Sequence, residues 1–469
     1  MQKTILKNNL IYFILFFFLV SCSSVPKYPQ NACKIFGEKY FYLKYTRAAS
    51  KKWGVPISSI LAVINKESAF RRFAKPKRTK LFKIIPYRRP SSSLGYSQSI
   101  KSSWDLYKKE NNKPTAYQNL HTILLPHDYI NYHLSNNLTM EYGDASGTGL
   151  LDILNRCWNA EVLKAIDDSR NLLDCLPRLN QESSATAVVG YLQQSVAKQY
   201  GLPVGIPIAN GGGDNMMGAI GTGDVDQGIV TISLGTSGTV YAHSDKAIVD
   251  AQGRLAAFCS SSDGWLPLLC TMNCTLSTEL TRALFDTSLD DLEEKISSTA
   301  IGSNGVLTLP FFNGERSPNL PNAKGSILGL DAQNMKADNL LRSAMEAASY
   351  ALRLGIEALK ENEVIVNEIR LTGGGSKSAS WRQMIADICN SQVVLVEADE
   401  GAAFGAALQA LTVYKNINTE TVTAIKSVTD MHVKLEKNSL CEPIENNVAK
   451  YELYYQQYLK AVKAITPYY

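Results

Sequence analysis

The sequence predicts an α/β fold over most of its length, preceded by a shorter, strongly basic segment of partly helical character. Three observations carry this. First, 469 residues with 45% hydrophobic and 19% charged content exclude a disordered chain, a collagen-like repeat and a small disulfide scaffold. Second, residues 1–113 hold 23 Lys and Arg against 4 Asp and Glu, while residues 114–469 hold 25 against 39, within a formal net charge of +5. Halves this different mark either a basic segment for nucleic acid or membrane, or two unrelated proteins joined in one reading frame. Third, beyond Pro114 predicted strands run repeatedly into glycine-rich turns. The basic excess has no recognisable nucleic-acid module or aromatic ladder, so nucleic acid is not an expected partner.

At the N-terminus, Lys3 and Lys7 precede an apolar run from Leu10 to Val20, followed by Ser21-Cys22 and a polar stretch. The run is too short to span a hydrocarbon core of about 30 Å as a helix, and it fits a secretory signal peptide. The small residue before Cys22 resembles a bacterial lipoprotein box, which implies lipidation of Cys22, a signal segment over 1–22 and anchoring to a membrane. An ordinary signal with an incidental cysteine is the alternative.

Residues 40–113 follow. Val55-Pro56 with Ser58 and Ser59 reads as a helix entry, and Ile60, Leu61 and Ile64 recur at helical spacing. Glu67 closes that apolar helix. A carboxylate there is either solvated or raised in pKa, and the second state suits protonation of a glycosidic oxygen. The Lys51-x-x-Gly54-Val55-Pro56 approach, the Glu67-Ser68 pair and Ser93-Leu94-Gly95-Tyr96-Ser97-Gln98 resemble a soluble-type lytic transglycosylase. That resemblance implies a lysozyme-like fold, Glu67 as lone acid/base and peptidoglycan as partner. It stops near Lys113, so this portion is partial.

Past Pro114 three sites stand out. Ile206–Ala209 reads as a strand running into Gly211-Gly212-Gly213-Asp214-Asn215 and a small-residue stretch. Glycines let a backbone approach a ligand closely. Asp214, where turn becomes helix, either caps that helix or accepts a proton from a substrate hydroxyl as its oxygen attacks phosphorus. Next, Ile229–Leu234 and Thr239–Ser244 are alternating strands around Gly235-Thr236-Ser237-Gly238, a hairpin signal. Its turn is either a plain Gly-Ser connection or a phosphate cradle of N–H groups and hydroxyls. Finally, Glu368–Thr372 reads as a strand entering Gly373-Gly374-Gly375, with a helix from about Ser378 to Cys389. Strand, glycine loop and helix N-terminus make either an ordinary tight turn or a nucleotide site. Neither G-x-G-x-x-G nor a Walker loop occurs.

These sites come in a fixed order with LLPHDYINYHLS (124–135), EYGDASGTGLLD (141–152), Trp158, LPFFNGERSPN (309–319) and EGAAFGAALQA (400–410). Together they resemble the FGGY family of carbohydrate kinases. The resemblance implies an actin-like (ribonuclease H-like) α/β fold of two lobes, divided here as 114–225 and 226–469. It implies transfer of the ATP γ-phosphate to a ketopentose, D-xylulose, with Mg²⁺. Asp214 would be the general base; Gly235, Thr236 and Ser237 would grip the phosphates; Gly373, Gly374 and Gly375 would pack against adenosine. No metal ligand is assigned.

The family opens with a strand bearing an Asp-x-Gly-Thr/Ser phosphate hairpin and then a sugar-holding segment, and neither occurs here. The first lobe is therefore expected to be incomplete, with unpaired strand edges and an exposed apolar face. The kinase portion alone implies a cytoplasmic setting; the leader implies export. Besides kinase and exported glycan-cleaving lipoprotein, a chimera with neither activity fits the sequence. Nine cysteines without a paired C-x-x-C arrangement read as free thiols. The Tyr-rich tail from Asn446 reads as a terminal helix with solvated charges.

Overall fold

The computed structural model describes residues 120–469, apart from 181–184, 399–400 and 418, together with isolated positions earlier in the chain. The chain divides into two compact units, Met1–His121 and Thr122–Tyr469. Within the first, the strands Lys80–Leu81 and Ile85–Pro86 pair antiparallel. Cys22 and Glu67 lie outside the described residues.

The main elements of the second unit are α1 (Pro126–Ser135), α2 (Tyr142–Ser146), α3 (Asp214–Thr222), β1 (Gly228–Leu234), β2 (Gly238–Ala242), β3 (Leu268–Thr271), α4 (Thr275–Leu284), α5 (Ala337–Glu361), β4 (Val366–Thr372), α6 (Ala379–Cys389), β5 (Gln392–Val396), α7 (Gly401–Asn416), β6 (Leu435–Cys441) and α8 (Glu445–Ile465). One six-stranded sheet organises them in the order β3-β2-β1-β4-β5-β6. The hairpin β1–β2 and the pair β2–β3 are antiparallel, whereas β1–β4 and β4–β5 run parallel. Both faces of this mixed sheet are covered, so β1 reads as the near-continuous apolar run IVTISL rather than a strict alternation.

Successive side chains still go to opposite faces. Val230, Ile232 and Leu234 of β1 and Val240 of β2 meet Leu341, Met345, Leu352 and Ile356 of the long helix α5. Tyr241 and Leu268 on the other face meet Met216, Met217 and Ile220 of α3 and Leu408 of α7. Each such large side chain, removed from water, contributes about 1.5–3 kcal/mol. The stretches MMGAIGTG and GAAFGAAL allow α3 and α7 to touch backbone to backbone. A Cβ added at Gly405 would collide with the Met217 carbonyl, and one at Gly221 with the Gly401 carbonyl.

The terminal helix forms with its charges solvated, as the sequence reads, and also buries an aromatic stripe. Tyr451, Tyr455 and Tyr458 of α8 are buried and surround Tyr350 of α5 at ring-centroid distances of 6.3, 6.0 and 5.4 Å. A seven-residue spacing from 451 to 458 places them on one stripe, and the charged residues take the other side.

In the first-lobe portion, among the described residues, strands form only two-stranded pairs. Thr139–Met140 lies parallel to Arg178–Leu179, while Leu151–Asp152 with Cys157–Trp158, and Val188–Tyr191 with Pro207–Ala209, are antiparallel. Tyr129, Ile130 and Val204 are 60%, 57% and 64% exposed. Cys157, Cys259, Cys270, Cys274, Cys389 and Cys441 are free thiols. Among the described residues no helix is long and apolar enough to cross a membrane.

Candidate active site

The parallel pairing of β1 with β4 sets Thr372 opposite Ser233, so the turns at 235–237 and 373–375 leave the same end of the sheet. Gly373 adopts φ 85°, and a Cβ there would come 2.8 Å from the Leu234 carbonyl oxygen; at Gly375 it would meet the Trp381 ring at 2.8 Å. Only glycine lets this loop lie against the end of β1. Gly374, by contrast, has open space around it. The carbonyls of Gly235 and Thr236 accept hydrogen bonds from the N–H groups of Thr275 and Cys274 at 2.9 and 3.0 Å. The Thr275 hydroxyl also donates to Gly235 O. The turn is thereby fastened to the start of α4, with Thr236 and Ser237 left exposed. Ser378 caps α6 by accepting from Trp381 N at 3.1 Å.

Beside this sheet end lies a cleft of about 430 Å³ lined by Asp144, Asp214, Thr239, Arg254, Cys270 and Arg316, among others. Asp214 occupies the first helical position of α3; the cap position belongs to Gly213. The Asp214 carboxylate is exposed and accepts from the backbone N and side-chain Nδ2 of its neighbour Asn215 at 2.8 and 3.0 Å. It is thus not a capping group. The turns at 235–237 and 373–375 do not line the cleft themselves; β2 reaches it at Thr239.

Asp144 arrives from α2. It lies against the glycine turn, since a Cβ at Gly213 would sit 3.3 Å from Asp144 Oδ1. His127 of α1 holds it: Nδ1 is 2.6 Å from Asp144 Oδ2, and Nε2 is 3.0 Å from the buried Asp128. Burial opposes a charge on His127, but the hydrogen-bonding carboxylates of Asp128 and Asp144, with the charge of Glu141, outweigh it. Its pKa rises to about 10. Glu141 caps α2 by accepting from Gly143 N at 2.7 Å and from Asp144 N, and from Ser261 Oγ at 3.1 Å. Burial pushes Glu141 up to about 7 against these bonds. The ligand atoms of His127, Asp128 and Asp144 lie within 4.8 Å of one another. The imidazole thus sits between the two carboxylates as their shared partner.

The sequence reading singled out Asp214 and the two turns but not Asp144, His127, Arg254 or Arg316. Asp144 and His127 stand 17 residues apart in two quoted stretches, PHDY and EYGDAS, and nothing in their spacing announces that they meet.

The FGGY family of carbohydrate kinases is matched by its C-terminal domain over residues 230–414 and its N-terminal domain over residues 99–221. A transglycosylase SLT domain is matched over residues 10–141. A xylulose kinase of Haemophilus influenzae is 42% identical over 365 residues, covering 78% of this chain and 71% of that protein. One from Bacillus subtilis is 32% identical, covering 65% and 60%. Among solved structures, a xyloylose kinase from Brucella ovis superimposes with a TM-score of 0.69 at 25% identity, over 80% of this chain and 74% of that one. A xylulose kinase from Bifidobacterium adolescentis gives 0.61 at 26% identity, over 83% and 79%. With two glycine turns at one sheet end and a carboxylate cleft beside them, this chain belongs to the FGGY family of carbohydrate kinases.

Proposed function

We propose that residues 114–469 transfer the γ-phosphoryl group of ATP to a ketopentose, D-xylulose, giving D-xylulose 5-phosphate and ADP. The observation that carries this reading is the placement of Asp214 in a cleft reached by the strand that leaves the 235–237 turn. In this reading Asp214 takes the proton of the sugar hydroxyl as its oxygen attacks the γ-phosphorus. The bond to the β,γ-bridging oxygen breaks and ADP leaves with that electron pair. Gly235, Thr236 and Ser237 hold phosphate oxygens through N–H groups and hydroxyls, and Gly373, Gly374 and Gly375 give adenosine a flat backbone surface. Asp144 and Asp214 carry carboxylate oxygens at the cleft, the donor type that Mg²⁺ takes. Mg²⁺ on the nucleotide phosphates would neutralise charge during transfer. A coupled ADP-release assay with D-xylulose tests the reading. Sugar-dependent turnover that Asp214→Asn removes supports it, and turnover unaffected by that change contradicts it.

The transglycosylase SLT match over residues 10–141 favours a second reading for the N-terminal portion. In it, residues 1–22 direct export, Cys22 carries a lipid that holds the chain at a membrane, and Glu67 in 40–113 acts as acid/base on peptidoglycan. Fractionation of cells expressing a tagged chain decides. Membrane retention lost in Cys22→Ala supports export, and a wholly soluble wild-type chain with Met1 in place contradicts it.

A further inference from the structure

The cleft is lined by two arginines of unlike standing. Arg254 is paired twice, to Asp250 at 2.9 Å and to Glu361 at 2.7 Å, and its charge is spent on those carboxylates. Arg316 is exposed to the cleft and makes no ion pair among the described residues. Its backbone is nonetheless held firmly. The buried Glu315 carboxylate accepts from Arg316 N at 2.8 Å, Met272 N at 2.6 Å and Asn273 Nδ2 at 3.0 Å. Glu315 and Leu320 exchange backbone hydrogen bonds at 2.8 and 3.0 Å, which closes the loop.

That anchorage leads straight to the 235–237 turn. Met272 and Asn273 follow the end of β3, where Thr271 pairs with Gly238. The next residues, Cys274 and Thr275, donate to Thr236 O and Gly235 O. Arg316 therefore rides on a loop bolted to the segment that fixes the turn, and it opens on the cleft that holds Asp214. Thr239, whose hydroxyl is buried without a partner, lines the same cleft. Cys270 of β3 lines the cleft together with Arg316; burial pushes its thiol up, and the charge of Arg316 opposes that rise.

We propose that Arg316 is a phosphoryl-binding residue: its guanidinium pairs with the γ-phosphoryl oxygens of bound ATP as the group passes to the hydroxyl held at Asp214. This rests on the kinase reading. Arg316 forms no covalent bond; the new O–P bond, the broken bridging bond and the proton taken by Asp214 are those given above. An unpaired guanidinium in a cleft carrying two carboxylates supplies the positive charge that a transferring phosphoryl group needs.

Calorimetric titration of the full chain with Mg·ADP and with Mg·AMP-PNP, a non-hydrolysable ATP analogue, tests this without relying on turnover. Arg316→Met is expected to weaken AMP-PNP by roughly 10- to 100-fold, the range for a lost charge-assisted hydrogen bond. It should change ADP by less than about twofold, with Arg316→Lys in between. Because Arg316 is exposed, both variants should melt within a few degrees of the wild type, which the same samples report. An equal loss for both nucleotides, or no loss for AMP-PNP, overturns the assignment while leaving the kinase reading standing. A wild-type chain that binds neither nucleotide overturns both.

Discussion

Asp214 opens α3 and Asp224 follows its C-terminal cap, and the two have opposite surroundings. Asp214 is exposed and bonded only to its neighbour, so Asp214→Asn should leave stability within about 0.5 kcal/mol, as surface substitutions usually do. It should cut sugar-dependent turnover by about 10²–10⁴-fold, the usual share of a general base, with ADP affinity unchanged. Asp224 is fully buried, accepting from His243 N at 2.8 Å and Thr231 Oγ1 at 3.0 Å. Burial raises its pKa to about 7 against those bonds and the charge of Arg370. A folded-state pKa above the ordinary value of 3.8 means the folded chain holds more protons between those limits. This group's contribution is thus fully present below about pH 4 and is lost as pH rises to about 7. Asp224→Asn, which keeps one acceptor for His243 N, removes that slope. Denaturant melts of both chains from pH 4 to 8 should show wild type losing stability relative to the variant up to about pH 7, then running parallel. Curves parallel throughout would refute the assignment.

At the scale of elements, the contact between α3 and α7 depends on absent side chains. Gly405→Ala pushes a methyl group into the Met217 carbonyl, and overpacking of this kind costs roughly 1–3 kcal/mol or more. Gly374→Ala meets nothing within 4 Å and should change stability by less than about 0.5 kcal/mol. Urea melts of the two variants side by side check the contrast. Equal stability of the two variants would contradict the close approach, because alanine's better helix propensity would on its own stabilise Gly405→Ala.

The strands β1, β2 and β4 and the turns after them were legible in the sequence because a strand is a local pattern and a glycine turn punctuates it. So was Asp214 at the start of a helix. The α3–α7 contact was not, since residues about 180 positions apart in the sequence are joined only by the sheet between them. The Tyr350 cluster was hidden for the same reason: a tyrosine stripe on a terminal helix does not name its partner until a second helix is laid against it. His127 escaped because, beside its sequence neighbour Asp128, it is paired with Asp144, a carboxylate that only the fold supplies.

For the whole molecule, the two lobes are built to different degrees, and that separates binding from turnover. The six-stranded sheet, covered on both faces, carries both glycine turns. Adenine nucleotide should therefore bind, weakly but measurably, and at 100 times its Kd it should stabilise the chain by about 2.7 kcal/mol. The first-lobe portion has only two-stranded pairs among its described residues, with large apolar side chains exposed. Under the proposed mechanism the nucleotide is held by the turns of the sheet, whereas in-line transfer also needs the sugar held within reach of Asp214, and positioning supplies much of the rate in phosphoryl transfer. D-Xylulose turnover should accordingly fall at least about 10²-fold below that of a relative such as the Haemophilus influenzae enzyme assayed beside it. Thermal melts with and without Mg·ADP, run with the coupled assay on one preparation, read both quantities. Stabilisation by ADP with little turnover is the expected pair. Robust turnover would show that the paired strands of the first lobe suffice to hold the sugar, and no stabilisation by ADP would show that the sheet and its turns do not make a nucleotide site.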